Sequence, residues 1–107
     1  FLIVGLNSDS SVKTNKGLSR PILDNEERSI ILSGISYIDM IISFEEMTPL
    51  NLIKFLKPDI LFKGQDYKIN EVVGSKEITK WGGKTILIDY LKGKSTTNLI
   101  NRIKNAT

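Results

Sequence analysis

The sequence predicts an α/β fold: a doubly wound parallel sheet of four strands alternating with helices. Three observations carry that expectation. Short apolar runs rich in β-branched residues recur at 2–6, 38–44, 59–62 and 84–88, as in strands buried on both faces. Segments with helical caps and apolar spacing lie between and after them. The polar loops 7–23, 63–70 and 89–94 all follow strands, so all three fall at the carboxyl end of the sheet, where such folds bind ligands.

The elements follow in order. Residues 2–6 form the first strand, and 7–23, with Gly17 and Pro21, read as a long loop. Asp24 caps a first helix, with Glu26 and Glu27 near its positive end. Ile30, Ile31, Leu32 and Ile35 are expected to form its apolar face, and Gly34 to stop it. After the strand at 38–44, Thr48 caps a second helix with Pro49 in its first turn. Leu50, Ile53, Phe55 and Leu56 line it, and Pro58 ends it. A third strand leads into the loop 63–74, with room for one helical turn. A short helix at 75–81 closes on Gly82 and Gly83. A fourth strand and a final helix at 95–104 complete the chain.

The chain of 107 residues is one domain at most, with 40% hydrophobic and 25% charged residues. Fifteen basic and twelve acidic residues leave +3, too mild for a dedicated nucleic-acid surface and compatible with phosphate ligands. Cysteine is absent, which excludes disulfides, thiolate metal sites and cysteine nucleophiles. No apolar run approaches the ~20 residues of a membrane span, and the start lacks a signal-peptide pattern. No membrane or nucleic-acid partner is expected, and the cytoplasm is the default location. The chain opens inside a core strand without an initiator Met, so an N-terminal portion is expected to be missing.

The residues able to carry chemistry sit in the three strand-end loops. Lys94-Ser95-Thr96-Thr97 opens the last helix, where unpaired N–H groups and the helix dipole favour an anion. An ordinary Ser/Thr N-cap explains the same residues. Lys63 and Gly64 leave the third strand, with Asp66 and Tyr67 just beyond. They suit a ligand turn or a plain one. Asn7 and Asp9 open the loop after the first strand, and Lys16 and Arg20 follow in it. Asp9 suits a ribose, a substrate hydroxyl or a metal-bound water, or simply an Asx-turn; Lys16 and Arg20 suit an anionic substrate or a solvated loop. Arg28, early in the next helix, faces solvent or a phosphate. Trp81 reads as packing.

Taken together these stretches resemble a known family. Leu2-Ile3-Val4-Gly5-Leu6-Asn7-Ser8-Asp9, Lys16-Gly17 with Arg20-Pro21, and Glu26-Glu27-Arg28 are the first matches. Tyr37-Ile38-Asp39, Thr48-Pro49-Leu50, Lys57-Pro58-Asp59, the turn from Phe62 to Tyr67, Val72-Val73-Gly74 and Gly93-Lys94-Ser95-Thr96-Thr97 complete them. In order and spacing they resemble the nucleotidyltransferase domain of bacterial ADP-heptose synthase, within the cytidylyltransferase-like superfamily. The resemblance implies a Rossmann-like nucleotidyltransferase fold over 1–107, a single, N-terminally truncated domain lacking the family's first strand. It implies transfer of AMP from ATP to D-glycero-β-D-manno-heptose 1-phosphate, giving ADP-heptose and pyrophosphate for lipopolysaccharide core synthesis, with Mg²⁺ accompanying ATP and no protein-held metal. Lys63, Gly64, Asp66, Lys94, Ser95, Thr96 and Thr97 would bind the nucleotide. Asn7, Asp9, Lys16, Arg20 and Arg28 would bind the sugar phosphate.

Two departures qualify the resemblance. The family's first strand leads into an H-x-G-H turn that contacts the phosphates, and this chain has no histidine. Where cytidylyltransferase relatives place a phosphate-binding Arg, Tyr90 stands here. The chain alone is therefore expected to be inactive and, lacking a central strand, to self-associate or to rely on a missing segment. A sugar-kinase domain upstream is a feature of some relatives. A glycerol-3-phosphate-type cytidylyltransferase and a non-catalytic nucleotide-binding remnant remain open. A receiver-like signalling module fits less well, because Lys63-Gly64 stands where a phosphorylatable Asp is needed.

Overall fold

The computed structural model describes residues 1–16, 19–20, 22–64, 68–89 and 95–106; the side chains of residues 11 and 14–16 are outside the description. The chain divides into two compact units, Phe1–Leu56 and Lys57–Thr107. Both are α/β, with parallel strands alternating with helices as the sequence predicts; among the described residues the four strands form two two-stranded sheets, where the sequence predicts one of four.

In the first unit β1 (Ile3–Asn7) pairs in parallel with β2 (Met40–Phe44), from Ile3 opposite Met40 to Asn7 opposite Phe44. The pair is fastened at its start, where Leu2 N–H donates to Asp39 Oδ2 at 2.6 Å and Asp39 N–H donates to the Leu2 carbonyl at 2.9 Å. Register puts Gly5, Ile42 and Phe44 on one face and Leu6 and Ser43 on the other. Helix α3 (Leu50–Leu56) covers the first face: a Cβ on Gly5 would lie 3.3 Å from Leu52 Cδ2. Helix α2 (Asn25–Ser33) meets the second face, where Ser43 Oγ donates to Asn25 Oδ1. Leu6, Phe44 and Ile53 are the buried apolar side chains described in this unit.

Three local expectations change. Residues 9–16, read as loop, form helix α1 (Asp9–Lys16). Val12 is its one apolar residue, so it has no apolar period to read; its start is set from outside, where Ser8 N–H donates to the Phe44 carbonyl at 2.9 Å and Ser8 O accepts from Val12 N–H. On α2, Ile30 and Ile31 are exposed, as is Ile35 just beyond it, while Asn25, Arg28, Ser29 and Leu32 are half-buried. The side turned inward is thus mostly polar, because it serves the strand ends. On α3, Phe55 is 84% exposed and Leu52 takes its place against the sheet. Leu52, Ile53 and Leu56 share a side at helical spacing, and Phe55 falls off it.

Caps behave largely as the sequence implies. Asp24 Oδ1 accepts from Glu27 N–H at 2.8 Å, satisfying an orphan donor of α2. Gly34 ends α2 in right-handed geometry (φ −77°), so no left-handed turn requires it, but a Cβ there would lie 3.3 Å from the Ile31 carbonyl oxygen. Helix α3 stops as Lys57 turns left-handed (φ 47°) ahead of Pro58.

In the second unit β3 (Ile60–Gly64) pairs in parallel with β4 (Lys84–Ile88), from Ile60 opposite Lys84 to Gly64 opposite Ile88. A 3₁₀ turn, Ile69–Glu71, and the short helix α4 (Ser75–Thr79) join them. The core holds Ile78, fully buried, and Val72. Gly83 is required by close packing, since a Cβ there would strike Ile78 and come 2.9 Å from the Asp59 carbonyl. Trp81 is a structural clasp: its indole N–H donates to the Pro58 carbonyl at 2.8 Å. Ile60, Phe62 and Ile88, on one face of this sheet, stay exposed. Helix α5 (Thr96–Ala106) ends the description, with Leu99 and Ile103 exposed.

Candidate functional site

In the first unit the chemistry gathers at the carboxyl end of β1. The half-buried Arg28 reaches back from α2: its Nη2 donates to the Asn7 carbonyl at 2.8 Å and to Asp9 Oδ1 at 3.1 Å. Its Nε adds a longer bond to the Asp24 carbonyl at 3.4 Å. Asn25 Nδ2 donates to the same Asn7 carbonyl at 3.1 Å, and Asn25 Oδ1 accepts from Ser43 Oγ at 3.2 Å. Three of the residues expected from sequence, Asn7, Asp9 and Arg28, are therefore in one hydrogen-bonded cluster. Arg20 is half-buried. Lys16 closes α1, and its side chain lies outside the description.

Asn25 and Ser43 belong to this cluster and escape sequence reasoning. Asn25 follows an N-cap Asp and looks like more capping chemistry; Ser43 looks like a polar residue in a strand. Their pairing spans 18 positions, a distance no local pattern encodes. Electrostatically the cluster is balanced: one guanidinium faces one carboxylate. An anionic ligand approaching Asp9 therefore meets a compensated charge.

A shallow groove of about 390 Å³ opens beside β2, lined by Phe44, Glu45, Glu46, Leu52 and Phe55 among others. Its two carboxylates make it a poor place for phosphate.

In the second unit the register brings Lys63 and Gly64, at the end of β3, beside Leu87 and Ile88 at the end of β4. Both expected ligand residues are exposed there. Ser95 caps α5: its Oγ accepts from Asn98 N–H at 3.1 Å and its carbonyl accepts from Leu99 N–H at 3.0 Å. Thr96 and Thr97 form the first turn and are exposed. The cap reading of Ser95 is thus realised, and its O–H proton is still available to donate. Asp66 and Lys94 lie outside the described residues. Among the described residues no group of three or more His, Cys, Asp or Glu is placed to hold a metal.

The family model of cytidylyltransferase-like proteins matches residues 1–102. The chain belongs to the cytidylyltransferase-like family. It is 54% identical over 106 residues to the bifunctional protein HldE of Campylobacter concisus (strain 13826), covering 99% of this chain and 22% of that protein. It is 50% identical over 103 residues to the bifunctional protein HldE of Syntrophotalea carbinolica, covering 96% and 21%. The chain thus spans about a fifth of the length of these relatives. Among solved structures it resembles the lipopolysaccharide core biosynthesis protein from Thermoplasma volcanium GSS1, with a TM-score of 0.63 and 27% identity over 85% of this chain and 73% of that one. The family membership expected from the sequence is borne out, and with it the fold class. Among the described residues no helix is long and apolar enough to cross a membrane.

Proposed function

We propose that this chain is the nucleotidyltransferase part of a longer, bifunctional, cytoplasmic protein that transfers AMP from ATP to D-glycero-β-D-manno-heptose 1-phosphate. The observation that carries this reading is similarity to bifunctional HldE proteins, at 54% identity over 99% of the chain. A phosphate oxygen of the sugar attacks the α-phosphorus of ATP; the α–β bridging P–O bond breaks, and pyrophosphate leaves. Such a reaction asks the protein mainly for positioning and charge neutralisation.

In this reading Lys63, Gly64, Asp66, Lys94 and the Ser95-Thr96-Thr97 helix start take the triphosphate. Asn7, Asp9, Lys16, Arg20 and Arg28 build the sugar-phosphate site. Exposed hydroxyls and N–H groups at the start of α5 support the first assignment. The charge-compensated cluster at the end of β1 supports the second. Mg²⁺ enters with ATP, on its phosphate oxygens, and no step is assigned to it. The fused remainder is a sugar-kinase domain.

The test is pyrophosphate release by the protein at its natural length, with ATP or CTP against heptose 1-phosphate or glycerol 3-phosphate. Turnover confined to ATP with the heptose phosphate is expected. Preference for CTP with glycerol 3-phosphate would replace this reading by the cytidylyltransferase one, and binding without turnover by the remnant.

A further inference from the structure

We propose that Asn25 and Arg28 are positioning residues that hold the end of β1 so that Asp9 presents its second carboxylate oxygen, Oδ2, to a hydroxyl of the sugar-phosphate substrate. This rests on the transferase reading above and adds to it a role for Asn25 and an indirect role for Arg28.

Asp9 begins helix α1, directly after the strand, and its Oδ1 accepts from Arg28 Nη2. Oδ2 has no partner among the described residues, and the side chain is 39% exposed. A carboxylate accepts through both oxygens, so one is committed to Arg28 and the other keeps its capacity to accept. A substrate polyol supplies the donor such an oxygen needs. Pairing with Arg28 also removes the repulsion that a bare carboxylate would exert on a phosphorylated sugar.

Arg28 is fixed rather than poised. Its Nη2 and Nε meet three acceptors: the Asn7 carbonyl, Asp9 and the Asp24 carbonyl. Asn25 is equally committed. Its amide fits one way round only, Nδ2 toward the Asn7 carbonyl and Oδ1 toward the Ser43 hydroxyl. The two residues converge on the same carbonyl from one helix, while Ser43 ties that helix to β2. Ser8 N–H, donating to the Phe44 carbonyl, holds the next residue. The peptide unit joining Asn7 to Ser8 is therefore clamped from α2 and β2, and Asp9 inherits its aim.

The experiment compares Asp9→Asn, Arg28→Ala, Arg28→Lys, Asn25→Ala and the double variant Asp9→Asn/Arg28→Ala in the protein at its natural length. Asp9→Asn is expected to raise KM for the sugar phosphate about tenfold with KM for ATP unchanged, the signature of a lost substrate contact. Arg28→Ala and Asn25→Ala raise the same KM severalfold, and Arg28→Lys recovers part of it. Because both act through Asp9, the double variant is no worse than Asp9→Asn alone. Multiplied effects in the double variant would overturn the proposal, since Arg28 would then touch the substrate itself. Amide hydrogen exchange gives a readout independent of turnover. The Ser8 and Val12 amides are expected to exchange faster in Asn25→Ala and Arg28→Ala than in the parent. If the parent turns over no sugar phosphate, the transferase reading falls, and unchanged exchange rates would overturn the positioning role as well.

Discussion

Arg28 and Asp9 are joined by a 3.1 Å ion pair that crosses from α2 to the start of α1. The pair shares its guanidinium nitrogen with the Asn7 carbonyl, so it fastens backbone as well as side chain. Its partners are 21% and 39% exposed, which places it between a solvated and a buried pair.

Arg28→Ala is expected to cost about 1 kcal/mol of stability, below the figure for a fully buried charged hydrogen bond. The Asn7 carbonyl keeps its bond from Asn25 and is not orphaned. Urea denaturation measures the shift, and high salt should shrink the difference between parent and variant.

Ser95 separates two roles, because its oxygen caps α5 through Asn98 N–H. Ser95→Ala should cost about 1 kcal/mol of helix stability. Ser95→Asp restores the cap but places a negative charge where the triphosphate is proposed to sit. Titration calorimetry of the natural-length protein should therefore show weakened ATP binding in Ser95→Asp despite a restored melting temperature. Unchanged ATP affinity in that variant would reduce Ser95 to a cap.

Gly83→Ala should destabilise by about 1–3 kcal/mol, the usual cost of overpacking, because the new methyl group meets Ile78 and the Asp59 carbonyl. Gly64, whose Cβ would meet nothing within 4 Å, is the control. Gly64→Ala should leave the thermal midpoint nearly unmoved.

Thr85 Oγ1 is buried without a hydrogen-bond partner among the described residues. Thr85→Val keeps the shape and the strand preference and removes the unpaired hydroxyl. It should stabilise by about 1 kcal/mol, at the low end of the penalty for an unsatisfied buried group. Loss of stability in denaturant would mean that the hydroxyl has a partner in solution.

Residues 1–107 expressed alone are expected to release no pyrophosphate from ATP and the sugar phosphate, since the chain contains no histidine and the resemblance implies an H-x-G-H turn at the phosphates. The same chain should self-associate in sedimentation, because Ile60, Phe62 and Ile88 leave an apolar sheet face exposed. Robust turnover would overturn the first expectation and a clean monomer the second.

Much of the fold is legible in the sequence because its signals are local. Short β-branched runs specify four strands, and Asp24 and Ser95 mark two helix starts that the structure confirms by their hydrogen bonds. Helix α1 is not legible, since its polar residues carry no period and its first turn hangs on the Phe44 carbonyl. The inward side of α2 is misread for a related reason. Apolar spacing points to Ile30 and Ile31, yet the helix turns Asn25 and Arg28 toward the strand ends.

The sequence by itself determines the fold class, the family and which loops carry polar residues at strand ends, because burial periods and caps are written within a few residues of each other. Only the tertiary structure decides that Asn7, Asp9, Asn25, Arg28 and Ser43 form one network. Those bonds join positions 18 to 21 residues apart. Their partners are selected by parallel pairing and helix placement, which no local stretch of chain contains.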